Sequence, residues 1–113
     1  MNLQEWSKES TKNSLLYGLE NQYRKEVLVL REFKFLGAPY WGCQVDSPDA
    51  DWLVAGIEGG GLTPEKALVS AVMRLEELRA QFPEHRLGKL LREVTKLVGE
   101  EVMREVAWRK AKE

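Results

Sequence analysis

Apolar positions along the chain follow two regimes: short alternating runs in the first half and long stripes at helical spacing in the second. Tyr40-Trp41-Gly42-Cys43-Gln44-Val45 alternates with period two, which puts Trp41, Cys43 and Val45 on one face of a strand. Residues 27–36 carry Val27, Val29, Phe33 and Phe35 on one parity, and their β-branched and aromatic content predicts a second strand. Extension of a preceding helix through Leu30 stays open, because no Gly or Pro separates the two segments. Trp52-Leu53-Val54-Ala55-Gly56-Ile57 reads as a further strand. The turn formers Asp46-Ser47-Pro48-Asp49-Ala50-Asp51 join it to residues 40–45, so an antiparallel hairpin with a long loop is expected.

Upstream, Leu15, Leu16, Leu19 and Tyr23 fall at helical spacing and predict a helix over about 8–24, with Ser7, Ser10 or Thr11 as cap. Gly18 works against that helix, and residues 1–7 are expected to be loose. Downstream, Gly59-Gly60-Gly61-Leu62-Thr63-Pro64 predicts a glycine-rich turn that launches a helix. Thr63 is a good N-cap, Pro64 suits the first helical position, and Glu65 favours the positive helix end. Leu68, Ala71, Val72, Leu75, Leu78 and Phe82 then form an apolar stripe that Pro83 stops. A last amphipathic helix is predicted over 86–111, with Leu87, Leu90, Leu91, Val94, Leu97, Val98, Val102 and Val106 on its apolar face. Gly88 and Gly99 interrupt it, for close packing or a bend.

The expected fold is therefore α+β and one domain spanning 1–113. It has an N-terminal helix, a small two- or three-stranded antiparallel sheet, then two amphipathic helices, one packing on the sheet. The 113 residues suffice for one core, and 43% hydrophobic with 31% charged residues are globular values. A formal net charge of −1 argues against wholesale nucleic-acid binding. A single cysteine excludes an internal disulfide and fits a reducing compartment. No basic, then apolar leader opens the chain and no run reaches membrane-spanning length, so a cytoplasmic protein without membrane contact is expected.

Candidate chemistry is sparse. Gly59, Gly60 and Gly61 ahead of a helix invite an anion, but the pattern fits neither a Walker loop nor a dinucleotide fingerprint, and Pro64 removes a donor. A strand-to-helix corner explains them better. Asp46, Asp49 and Asp51 resemble a cation loop in charge only, since the EF-hand glycine and terminal glutamate are absent. Cys43 alternates with apolar neighbours and reads as a buried small hydrophobe, and His85 sits in a turn with no third partner. Glu76-Glu77 and Glu100-Glu101 read as solvated helix faces. No catalytic residue, metal ligand or cofactor is assigned, and the chain is expected not to be an enzyme.

The stretch from Tyr40 through Gly61-Leu62-Thr63-Pro64-Glu65-Lys66-Ala67-Leu68-Val69-Ser70-Ala71 resembles small phage proteins with an α-β-β-α sandwich. That family shows a Trp-containing strand pair followed by a Thr-Pro-x-x-Ala-x-x-x-Ala helix start. More distantly it is similar to HicB-type antitoxins, with Thr63 and Ala67 matching but the glutamate displaced to 65 and the Pro-Asp-x-Pro-Gly strand missing. It also resembles the double-stranded RNA-binding domain in element order, though only Lys66 is basic where that family clusters lysines. The first resemblance implies a phage or mobile-element protein and carries over no catalytic residue.

The expected function is thus non-enzymatic: binding and occluding a host protein, a host defence nuclease among the candidates, in the host cytoplasm. Trp6, Trp108, Arg104 and Arg109 are the candidate protein-binding residues, because aromatic and arginine anchors dominate interface energetics. A homodimer through the 86–111 helix is a second expected contact. The alternative is a nucleic-acid-binding or antitoxin-like regulator using Lys89, Arg92 and Lys96, although Glu93, Glu100, Glu101 and Glu105 dilute the basic charge of that helix.

Overall fold

A computed structural model describes residues 3–13, 18–35, 37–47, 58–85 and 87–112. It is α+β, with a five-stranded antiparallel sheet in the order β1-β2-β3-β4-β5. The strands are β1 (Ser7–Asn13), β2 (Gly18–Lys25), β3 (Leu28–Phe35), β4 (Ala38–Val45) and β5 (Glu58–Gly61). Three helices follow: α1 (Pro64–Gln81), α2 (Leu87–Val98) and α3 (Glu100–Ala111).

The expected N-terminal helix over 8–24 is not formed. Its described residues lie instead in the antiparallel strand pair β1–β2, with Ser7 opposite Arg24 and Asn13 opposite Gly18. Almost nothing in β1 is apolar, so burial does not select this pairing. A polar ladder joins the strands on one face instead. Ser10 Oγ donates to Asn21 Oδ1 at 2.6 Å, and Asn21 Nδ2 donates to Glu32 Oε1 at 2.9 Å, through three directly opposed residues. At the start of the chain Leu3–Glu5 forms a 3-10 turn, and Trp6 donates its amide to Leu3 O at 3.0 Å.

Residues 27–36 form the strand and not a helical extension. β2 and β3 meet in a two-residue turn at Glu26 and Val27, where Glu26 takes φ 54°. No Gly or Pro marks that corner, so a side chain sits in the left-handed region at a cost of roughly 1 kcal/mol. In β3, Leu28 and Leu30 face the same side as their β4 partners Val45 and Cys43. Val29 is also buried, on the opposite face, so β3 is sunk on both sides here.

The predicted face of β4 holds, with Trp41, Cys43 and Val45 buried in alternation. The expected strand over 52–57 lies outside the described residues, and within them β4 pairs antiparallel with β5, Trp41 opposite Gly61 and Cys43 opposite Gly59. The three glycines are therefore strand residues, and the corner proper is Leu62 and Thr63. A Cβ on Gly59 would lie 2.4 Å from Ala71 N and 2.6 Å from Ala67 O; one on Gly61 would lie 2.6 Å from Lys66 Cβ. Missing side chains let the backbone of β5 press against the first turns of α1, and Ser70 Oγ ties the two by donating to Gly60 O at 3.1 Å.

Helix α1 starts as its sequence dictates. Thr63 is the N-cap with extended backbone, its Oγ1 accepts from Lys66 N at 3.1 Å, and Pro64 opens the helix. Ala67, Leu68, Ala71, Val72, Leu75 and Leu78 are buried against the sheet and the later helices. The predicted 86–111 helix is two helices. Gly99, with φ 86°, ends α2 and redirects the chain, so α2 and α3 both pack on α1. Of the predicted stripe, Leu87, Leu91, Val94, Val98, Val102 and Val106 are buried, and Leu90 and Leu97 are half-buried against them.

Candidate functional site

Thr63, Glu65, Lys66 and Val69 of the first turns of α1 face Glu101, Val102, Glu105 and Arg109 of α3 across a groove of about 390 Å³. Its floor holds Val69 and Val102, both buried, and its banks are charged. Arg109 Nε donates to Glu105 Oε1 at 3.1 Å along the helix, and Arg104 Nη2 lies 3.6 Å from Glu100 Oε2. Lys110 Nζ, 2.6 Å from Glu76 Oε2, fastens the end of α3 to α1.

Two large hydrophobic side chains among the described residues are exposed, Leu62 at 64% and Trp108 at 54%. Each is the sequence neighbour of a groove residue, Leu62 beside Thr63 and Trp108 beside Arg109. Trp108 also follows Glu105 by three positions, which keeps it on the same side of α3. Lys112 Nζ rests 3.5 Å from the centre of its ring, a cation–π contact.

The residues expected to bind protein are only partly brought together. Trp108, Arg104 and Arg109 share α3, with Arg104 strongly exposed and Arg109 on the groove bank. Trp6 is not an exposed anchor: it is 6% exposed and packed in the core, because the turn before β1 folds it inward. Leu62 was missed by sequence reasoning, since a leucine in a corner reads as part of the apolar count until its surroundings are known. Lys89, Arg92 and Lys96 do form one exposed stripe on α2.

Other candidates have structural occupations. Burial pushes the Cys43 thiol up to about 12, so at neutral pH it is protonated and not a nucleophile. His85 stands edge-on to the Phe82 ring, 5.8 Å between centres. Asp46 pairs with Arg24 at 2.8 Å, while Asp49 and Asp51 lie outside the described residues. Among the described residues no group of three or more His, Cys, Asp or Glu could hold a metal ion. Glu76 and Glu77 pair with Lys110 and Arg74, and Glu100 with Arg104. The glycines of β5 face Ala67, Ala71 and Tyr40 rather than an open cradle. No described helix is long and apolar enough to cross a membrane.

In comparisons with known proteins, no family model, curated protein or solved structure matches this chain.

Proposed function

We propose that the chain is a non-enzymatic binding protein of a phage or mobile element that acts by occluding a host protein through the α1–α3 groove. The carrying observation is that the two exposed hydrophobics, Leu62 and Trp108, each adjoin in sequence a residue lining one charged groove, Thr63 and Arg109. An aromatic on a rigid helix offers a large contact area at small entropic cost, and burying it removes an unfavourable exposed surface. Arg104 and Arg109 supply a polar rim around it. The buried, protonated Cys43 and the carboxylates occupied in ion pairs support binding over catalysis. The host setting rests on the resemblance of residues 40–71 to phage proteins, and a defence nuclease is the target class that setting suggests. The test is capture from host lysate with wild type and with Trp108→Ala. A specific band that disappears with the variant, at unchanged melting temperature, supports the proposal. A band retained at full strength, or none with either protein, counts against it.

A second reading, a regulator that binds nucleic acid, is favoured by the alignment of Lys89, Arg92 and Lys96 on one exposed face of α2. It predicts duplex binding that weakens steeply with salt. No mobility shift at low salt would dispose of it.

A further inference from the structure

The geometry points to a binding site for a phosphate-type oxyanion on the surface above Gly88, held between the guanidinium groups of Arg79 and Arg92. Arg79 ends α1 and Arg92 projects from α2, yet both reach the same place. A Cβ on Gly88 would lie 3.7 Å from Arg79 Nε and Nη2 and 3.6 Å from Arg92 Nη1. Among the described residues neither guanidinium takes part in an ion pair or a hydrogen bond. Glu93, next to Arg92, is not paired with it, and Glu76 and Glu77, the carboxylates nearest Arg79 in sequence, pair with Lys110 and Arg74.

Arg79 suits its own helix, whose C-terminal end is negative. Arg92 has no such reason. Its head turns back one helical turn onto Gly88, in the first turn of α2, where the helix end is positive. Two like charges brought together over a positive helix end repel each other, and helix pairing offers Arg92 no carboxylate to relieve this, since residues 88, 89, 95 and 96 are Gly, Lys, Thr and Lys. An anion between them removes the repulsion and accepts charge-assisted hydrogen bonds from two planar forks, the geometry that matches phosphate oxygens. Gly88 leaves the floor clear. Exposed Lys89 and Lys96 flank the position and extend positive charge along α2.

This site shares Arg92 and Lys89 with the nucleic-acid reading but does not depend on it, since a free phosphate ester offers the same oxygens as a duplex backbone. The variant that tests it is Gly88→Asp. A Cβ fits there with no contact closer than 3.6 Å, and the aspartate it carries would place a carboxylate where the anion would sit. Arginine-side-chain NMR at low ionic strength would follow titration with inorganic phosphate, with chloride as control, and separately with a short DNA duplex.

Expected are saturable shifts of the Arg79 and Arg92 Nε–H signals with phosphate and not chloride, weakened about tenfold or more in Gly88→Asp and in Arg79→Gln/Arg92→Gln. Retention of the native fold in both variants, read from their backbone spectra, separates lost binding from lost structure. Duplex binding with the same dependence would identify a nucleic-acid backbone as the source. Phosphate binding without duplex binding would keep the site and defeat the nucleic-acid reading. Absence of saturation, equal effects of chloride and phosphate, or full binding by Gly88→Asp would overturn the site.

Discussion

Gly59 of β5 lies so close to Ala71 of α1 that an added methyl group would come within 2.4 Å of the Ala71 amide nitrogen. The three obstructing atoms, Ala71 N, Ala67 O and Ala71 Cα, are helix backbone, so none can swing away. Gly59→Ala is expected to cost about 3 kcal/mol, as overpacking against a rigid neighbour does. Gly60→Ala meets only the far end of the Tyr40 side chain, its hydroxyl at 1.9 Å, and a swing of that side chain about χ1 relieves it. A urea midpoint lowered far more by the first substitution than by the second would bear this out, and equal midpoints would contradict it.

Glu26 provides the opposite sign. Its φ of 54° is strained for a side chain, and Glu26→Gly removes the strain in a two-residue hairpin corner. Stability should rise by about 0.5–1 kcal/mol, read from chemical denaturation. A loss of stability would mean that the Glu26 side chain does something the strain account omits.

Thr63→Ala deletes the acceptor for the Lys66 amide and should lower stability by about 1 kcal/mol. Thr63→Ser keeps that acceptor and should restore most of it. Because Thr63 also lines the groove, the serine variant separates capping from any effect on binding.

Cys43 predicts a pH dependence with a definite sign. Its thiol holds its proton up to about 12 in the folded chain, against 9.0 when freely solvated. Between those values the unfolded chain has lost a proton that the folded chain keeps, so rising pH favours unfolding and stability falls. Below about 9 the contribution is complete, and it is lost as pH climbs through the window. The wild-type stability should therefore decline faster than that of Cys43→Ala across alkaline pH. Thiol reagents should label the native protein only as fast as it opens.

Where burial organises the chain, the sequence was readable. The Thr63-Pro64 start, the α1 stripe and the alternation of β4 all express one face turned to a core, and periodicity reports that directly. The strand pair β1–β2 escaped because its pairing runs through Ser10, Asn21 and Glu32, a polar ladder with no hydrophobic period. Leu19 and Tyr23 instead mimicked helical spacing. The glycines of β5 were misread because the same residue type serves turns and close packing, and only the position of Ala67 and Ala71 tells which. Of the candidate site, Trp108, Arg104 and Arg109 were legible as an aromatic among cations. Leu62 and the burial of Trp6 depend on tertiary neighbours and were not. The convergence of Arg79 and Arg92 on Gly88 likewise joins two helices, a relation that no single-helix pattern contains.

The central functional claim is that a partner covers the α1–α3 groove. Hydrogen exchange by mass spectrometry on the captured complex, against the free chain, tests it most directly. Protection is expected in the peptides covering the Leu62–Thr63 corner and the Arg104 to Lys112 end of α3, with β1 and β2 unchanged. Protection confined to β1 and β2, with both banks of the groove exchanging as in the free protein, would contradict it.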